Sequence, residues 1–311
     1  MMPDVLSVVL GAVSFALQLQ AAGTVFFAAA FGPALTISLA SVRTLARGTA
    51  MAAVVAVAAH YLLEPARMAG DMAGVFDSFL QSMAWRSSVG GAFSVKELGL
   101  LLIIAGMQSP SARVTADRLF TSSAGLSAPP WMRRFSSRGF TVLGIGGAVL
   151  VAASFTLTGH TVTSPSRAVL APLVLTHLLL VAFWFGALWP LWLVSLREPR
   201  ERATRVVALF SSAAVWLVPL ILVVGATIAA LLLPDVASLG KPYGELILAT
   251  VALFALLMVL AALNRWRLGP ALGGADLLAG RSFRRVVVLE YVLILAVLAA
   301  TAVMTTLFSP E

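Results

Sequence analysis

Stretches of eighteen or more predominantly apolar residues recur along the whole chain, each long enough to cross about 30 Å of hydrocarbon as a helix. Inside a bilayer no water satisfies backbone N–H and C=O groups, so only helices and closed barrels can span it. A barrel would show short segments of alternating polarity, and these are absent. Composition agrees: of 311 residues 60% are apolar and 11% charged, and the mean hydropathy is +0.99, whereas soluble domains carry about 25% charged residues. The expected fold is all-α, a polytopic transmembrane helical bundle of about eight helices in a lipid bilayer.

The apolar runs place spans near 5–38, 48–70, 90–108, 139–160, 169–196, 205–233, 243–264 and 283–308. The first contains Gly32-Pro33 and is expected to bend or end early. Residues 71–88 are amphipathic enough to lie along a membrane surface, with a plain loop as the alternative. Residues 109–138 form the longest polar connection and hold no soluble domain. We therefore divide the chain into 1–138, with helices 1–3 and a long loop, and 139–311, with helices 4–8.

Alternate loops differ in charge. Those after spans one, three, five and seven hold sixteen Arg residues, whereas the opposite side holds five basic residues, Arg67, Arg86, Lys96, Arg167 and Lys241. Basic residues collect in cytoplasmic loops, so both termini are expected on the extracytoplasmic side. The same rule explains the net charge of +8 without invoking nucleic acid. The first residues lack a basic region and include Asp4, so the first run reads as a retained helix. With no cysteine, disulfides and thiolate metal sites are excluded.

That orientation puts all three histidines toward the outer face. His60 lies in the outer half of the second span. His160 ends the fourth, and His177 lies ~12 Å down the fifth at 1.5 Å per residue. Ionisable groups at depth are costly and tend to face the bundle interior, where they mark a site or pathway. His60, Glu64, Met68 and Met72 recur every four residues, so neighbours share a slowly winding face. Imidazole binds copper and zinc, and thioether sulfur favours Cu(I); packing is the alternative role for each methionine. Trp184 shares the face of His177, and Gly186 is small enough for close helix approach. Glu290 is expected to contact Arg265 and fix the last two helices, with an ion relay as the rival reading. Gln18 and Gln20 either bond across helices or line a route. Glu97 and Glu245 are expected at outer helix ends.

The stretch GHTV…THLLLVAFWFGALWPL, from Gly159 to Leu191, resembles the G-H…H…W-x-G-G region of the CopD copper-resistance family of bacterial inner-membrane proteins. The resemblance continues through Tyr243-Gly244, through the N-R-x-x-L-x-P turn from Asn264 to Pro270, and through the R-R-x-x-x-x-E helix from Arg284 to Glu290. It covers about residues 150–308, while the first half is compatible only as a set of helices. Ala187 replaces the second Gly, and Thr250 stands where a Lys is usual. The resemblance implies copper handling at His160 and His177, in the bacterial inner (plasma) membrane.

No phosphate-binding loop, phosphorylation segment or nucleophile triad appears, so the chain does not read as an enzyme. The leading expectation is a protein that moves copper ions, Cu(I) favoured, inward from the periplasmic side. The site would be His160 and His177, with His60 and Met68 or Met72. A separate periplasmic copper-binding protein would deliver the ion. Two alternatives stand beside it: a b-type haem electron carrier ligated by His60 and His177, and a copper-binding assembly factor that does not transport.

Overall fold

A computed structural model describes residues 2–108, 130–159, 162, 164–233, 237–274 and 277–308. Its principal helices are α1 (Met2–Phe31), α2 (Leu39–Ala69), α3 (Ser78–Arg86), α4 (Ser88–Gly106), α5 (Pro130–Ser154), α6 (Arg167–Arg197), α7 (Arg200–Leu232), α8 (Pro242–Leu263) and α9 (Leu277–Leu307). Among the described residues there is no strand. The helices of seven expected spans are long and apolar enough to cross a membrane. The eighth, at α5, has a shorter apolar stretch, Thr141–Leu157. The chain is an all-α polytopic membrane protein.

Local chemistry sets the boundaries. α1 stops at Gly32-Pro33, where the chain tightens into the 3-10 turn Gly32–Ala34. α2 begins well before the expected residue 48 and ends at Gly70, whose φ of 77° is left-handed backbone open to glycine. The 71–88 segment forms a 3-10 turn capped by Asp71 and the short α3 capped by Asp77, each carboxylate accepting two backbone N–H groups. Phe76, Phe79 and Trp85 are exposed on it, as on an interfacial helix.

α1 is the central post. Every residue from 18 to 25 is buried, and α1 packs against α2, α4, α5, α6 and α9. A helix apolar on one face only could not occupy this place. α7 packs on α6, and α8 mainly on α9, leaving Trp216, Val223 and Val259 exposed toward lipid.

The two ends of the bundle differ. At one, Arg67 meets Asp4, Glu64 and the Thr306 carbonyl, gathering the start of α1, the end of α2 and the end of α9. At the other, Glu198 after α6 binds residues 36–38 before α2, and Arg200 donates to the Gly274 carbonyl. The connections after α1, α6 and α8 thus meet at one end, where Arg43 and Arg47 open α2 and Arg197, Arg200 and Arg265 flank the other two.

Candidate metal-handling site

The tightest helix crossing explains Gly186. Pro190 has no N–H, so the Gly186 carbonyl four residues earlier loses its partner within α6. α1 supplies the replacement: Gln20 Nε2 donates to that oxygen at 3.2 Å, and the Thr24 hydroxyl lies at the same distance. Both contacts require the backbones to touch, which Gly23 and Gly186 permit. A Cβ on Gly23 would lie 2.7 Å from Gly186 Cα. Trp184 packs edge-on against Phe254 of α8, 6.0 Å between centroids. The W-x-G segment therefore acts as a three-helix junction.

On the N-terminal side of this crossing α1 carries buried polar groups. Ser7, Ser14 and Gln18 follow spacings of seven and four, with Gly11 between them, so they form a row along one side. Ser14 Oγ donates to Gly11 O, and Gln18 Nε2 to Ser14 O. Gln18 Oε1 is buried without a hydrogen-bond partner among the described residues.

His60 of α2 stands at the Ser7 end of this row. Its Nε2 is 3.0 Å from Ser7 Oγ, and the ring lies beside Gly11, where a Cβ would make only an ordinary contact, 3.5 Å from Nε2. Lys96 and Arg67 lie within electrostatic reach. The Lys96 ammonium rests over the Phe155 ring at 4.5 Å. Glu64 offsets the charge beside His60 by pairing with Arg67 at 3.2 Å, while Asp4 approaches Arg67 at 3.6 Å.

His177 faces elsewhere. Its ring lies on Gly225 of α7, where a Cβ would come within 3.0 Å of Cε1. Its Nδ1 is buried and unpartnered among the described residues. His60 thus turns to α1 and His177 to α7, so the axial pair of a haem reading is not gathered. His160 lies outside the described residues. The stripe from His60 breaks after Met68: Gly70 ends the helix, so Met72 leaves its register, and both methionines are exposed. No group of three or more His, Cys, Asp or Glu that could hold a metal occurs among the described residues.

Two expectations need correction. Glu290 does not meet Arg265; its Oε1 accepts from Asn264 Nδ2 at 2.6 Å. Asn264–Leu268 forms a π-helical turn, which carries Arg265 toward α7, where it donates to Ser211 O at 2.7 Å. The N-R and R-R-x-x-x-x-E segments are still joined, through asparagine. Glu97 is not at a helix end but nine residues into α4, with Oε1 buried and unpartnered among the described residues.

Sequence reasoning passed over Glu198. Its Oε1 accepts N–H bonds from Thr36, Ile37 and Ser38, and Oε2 takes the Thr36 hydroxyl. Burial would raise this carboxyl, but the four hydrogen bonds outweigh it and hold it below its ordinary value. The signal available was an acidic residue set immediately after Arg197 and before Pro199.

The family model described as copper resistance protein D, CopD, matches residues 204–304, which run from the first turns of α7 into α9. That is 101 of 311 residues, and it begins after both His160 and His177. No curated protein and no solved structure matches the chain. Gly225, which admits the His177 ring, and the Asn264–Glu290 pair lie inside the matched segment. Over this segment the chain, a helical membrane protein, is similar to the CopD family of copper resistance proteins.

Proposed function

We propose that the protein takes up copper ions at the end of the bundle where Arg67 joins α1, α2 and α9, and passes them inward along α1. One observation carries this reading: His60 opens a row of buried polar groups, Ser7, Ser14 and Gln18, on the central helix. Neutral imidazole is a good copper ligand and releases the ion more readily than thiolates would. The unpartnered Gln18 carbonyl offers a further oxygen deeper in. In this reading His160, and His177 on the α7 side of α6, are further copper ligands beside that row. Met68 and Met72, both exposed, would capture Cu(I) at the mouth.

The receiving face is the periplasmic side of a bacterial inner membrane, with both chain ends on that side, by the distribution of arginine. A separate periplasmic protein delivers the ion. The protein moves or holds copper and performs no covalent chemistry.

The test is copper bound after Cu(I) loading under reducing conditions, comparing wild type with His60→Ala and with His160→Ala/His177→Ala. About one copper per chain, reduced roughly tenfold or more in affinity by His60→Ala, is expected. Unchanged binding in both variants would overturn the histidine route. Binding without flux across a vesicle would instead favour the assembly-factor reading.

A further inference from the structure

At the arginine-rich end, α2 and α6 diverge around a groove of about 360 Å³, lined by Ser41, Thr44 and Leu45 of α2 and by Trp189, Leu193 and Arg197 of α6. We propose that this groove binds an anionic phospholipid, its phosphate at Arg197 and Ser41 and its acyl chain against Leu45, Leu193 and Trp189.

Polarity within the groove is graded. Arg197 is the last residue of α6, and Ser41 lies in the first turn of α2, so the hydrogen-bonding groups sit at the helix ends. Trp189 lies eight residues deeper along α6, ~12 Å at 1.5 Å per residue. A phospholipid has the same gradient, charged at the membrane surface and apolar below it. Trp189 stacks on Trp192 and keeps 39% of its surface exposed, which gives the chain a flat apolar wall.

Charge points the same way. The neighbouring carboxylate, Glu198, is buried and occupied by its four hydrogen bonds, so it offers the groove little negative charge. Arg197 is exposed, and one of its Nη atoms donates to Ser41 Oγ across the groove. The rest of its planar donor fork remains available to a phosphate, the geometry for which guanidinium is suited. Basic pockets between transmembrane helices bind anionic headgroups by this chemistry. An inorganic phosphate would use only the polar end and leave the apolar wall uncovered.

The test is native mass spectrometry of the full chain, released from detergent with equal phosphatidylglycerol and phosphatidylcholine, for wild type, Arg197→Gln, Ser41→Ala and Arg86→Gln. One retained phosphatidylglycerol is expected, favoured by roughly fivefold over phosphatidylcholine. The preference should vanish in Arg197→Gln, weaken in Ser41→Ala and persist in Arg86→Gln. Equal retention of the two lipids, or a preference untouched by Arg197→Gln, would overturn the proposal. So would loss of the lipid to millimolar inorganic phosphate, which would make the site one for a small anion. Should Arg197→Gln not fold, Leu193→Trp, which fills the apolar half, must abolish retention, and failure to do so counts equally against it.

Discussion

Substituting Gly23 by alanine strikes the junction on which the central helix depends. The new Cβ would fall 1.7 Å from the Ala182 carbonyl oxygen and 2.7 Å from Gly186 Cα. Non-bonded heavy atoms sit comfortably at about 3.5 Å, so α1 and α6 must separate by roughly 1.5–2 Å. Overpacking of this kind costs about 1–3 kcal/mol. Separation also stretches the 3.2 Å bonds from Gln20 and Thr24 to the Gly186 carbonyl beyond hydrogen-bonding distance. Pro190 ensures that this oxygen has no helical donor to return to. Losing an interhelical bond within a membrane adds about 0.6 kcal/mol, with an upper bound near 1.7. The sum is about 2–4 kcal/mol. Reversible unfolding in mixed micelles measures it, with Gly146→Ala as control, because a Cβ at Gly146 meets nothing within 4 Å. If Gly23→Ala matched Gly146→Ala in stability, the backbone crossing and its role for Gly186 would both be refuted.

Glu198→Gln should lower stability at neutral pH by about 1–3 kcal/mol, the cost of weakening a buried hydrogen-bonded charge. Because the folded carboxyl is held below its ordinary 4.5, its contribution is complete above that value and fades as pH falls through the folded one. The difference between wild type and variant should therefore be flat near neutrality and shrink in acid; a gap that widened in acid would contradict it. Double-mutant cycles should give coupling near 0.6 kcal/mol for Asn264 with Glu290, and none for Arg265 with Glu290, which bond to different partners. Gly225→Leu should displace the His177 ring, from which a Cβ alone stands at 3.0 Å. Copper affinity should then fall as in His177→Ala, and normal binding with a displaced ring would remove His177 from the route.

The helices were legible because hydrocarbon imposes one rule on every span, which apolar length answers directly. Gly32-Pro33 announced the end of α1 for the same local reason. The start of α2 did not show, since its first turns carry Arg43 and Arg47 and read as a loop until Glu198, 160 residues from Ser38, satisfies their entry. Side-chain pairing was the least legible. The sequence places Glu290 level with both Asn264 and Arg265, and a π-helical turn decides between them. In the same way a four-residue repeat joined His60 to Met72, but Gly70 cuts it. His60 itself was visible as an ionisable residue at depth, whereas its partner Ser7 is one serine among many.

The most direct test of the copper route is uptake of Cu(I) into proteoliposomes by wild type and by His60→Ala, with the folded fraction of each measured in parallel. Uptake lowered tenfold or more in a folded His60→Ala is the expected result, on the order of a lost metal contact. A folded His60→Ala protein carrying copper at the wild-type rate would show that the ion does not enter along α1.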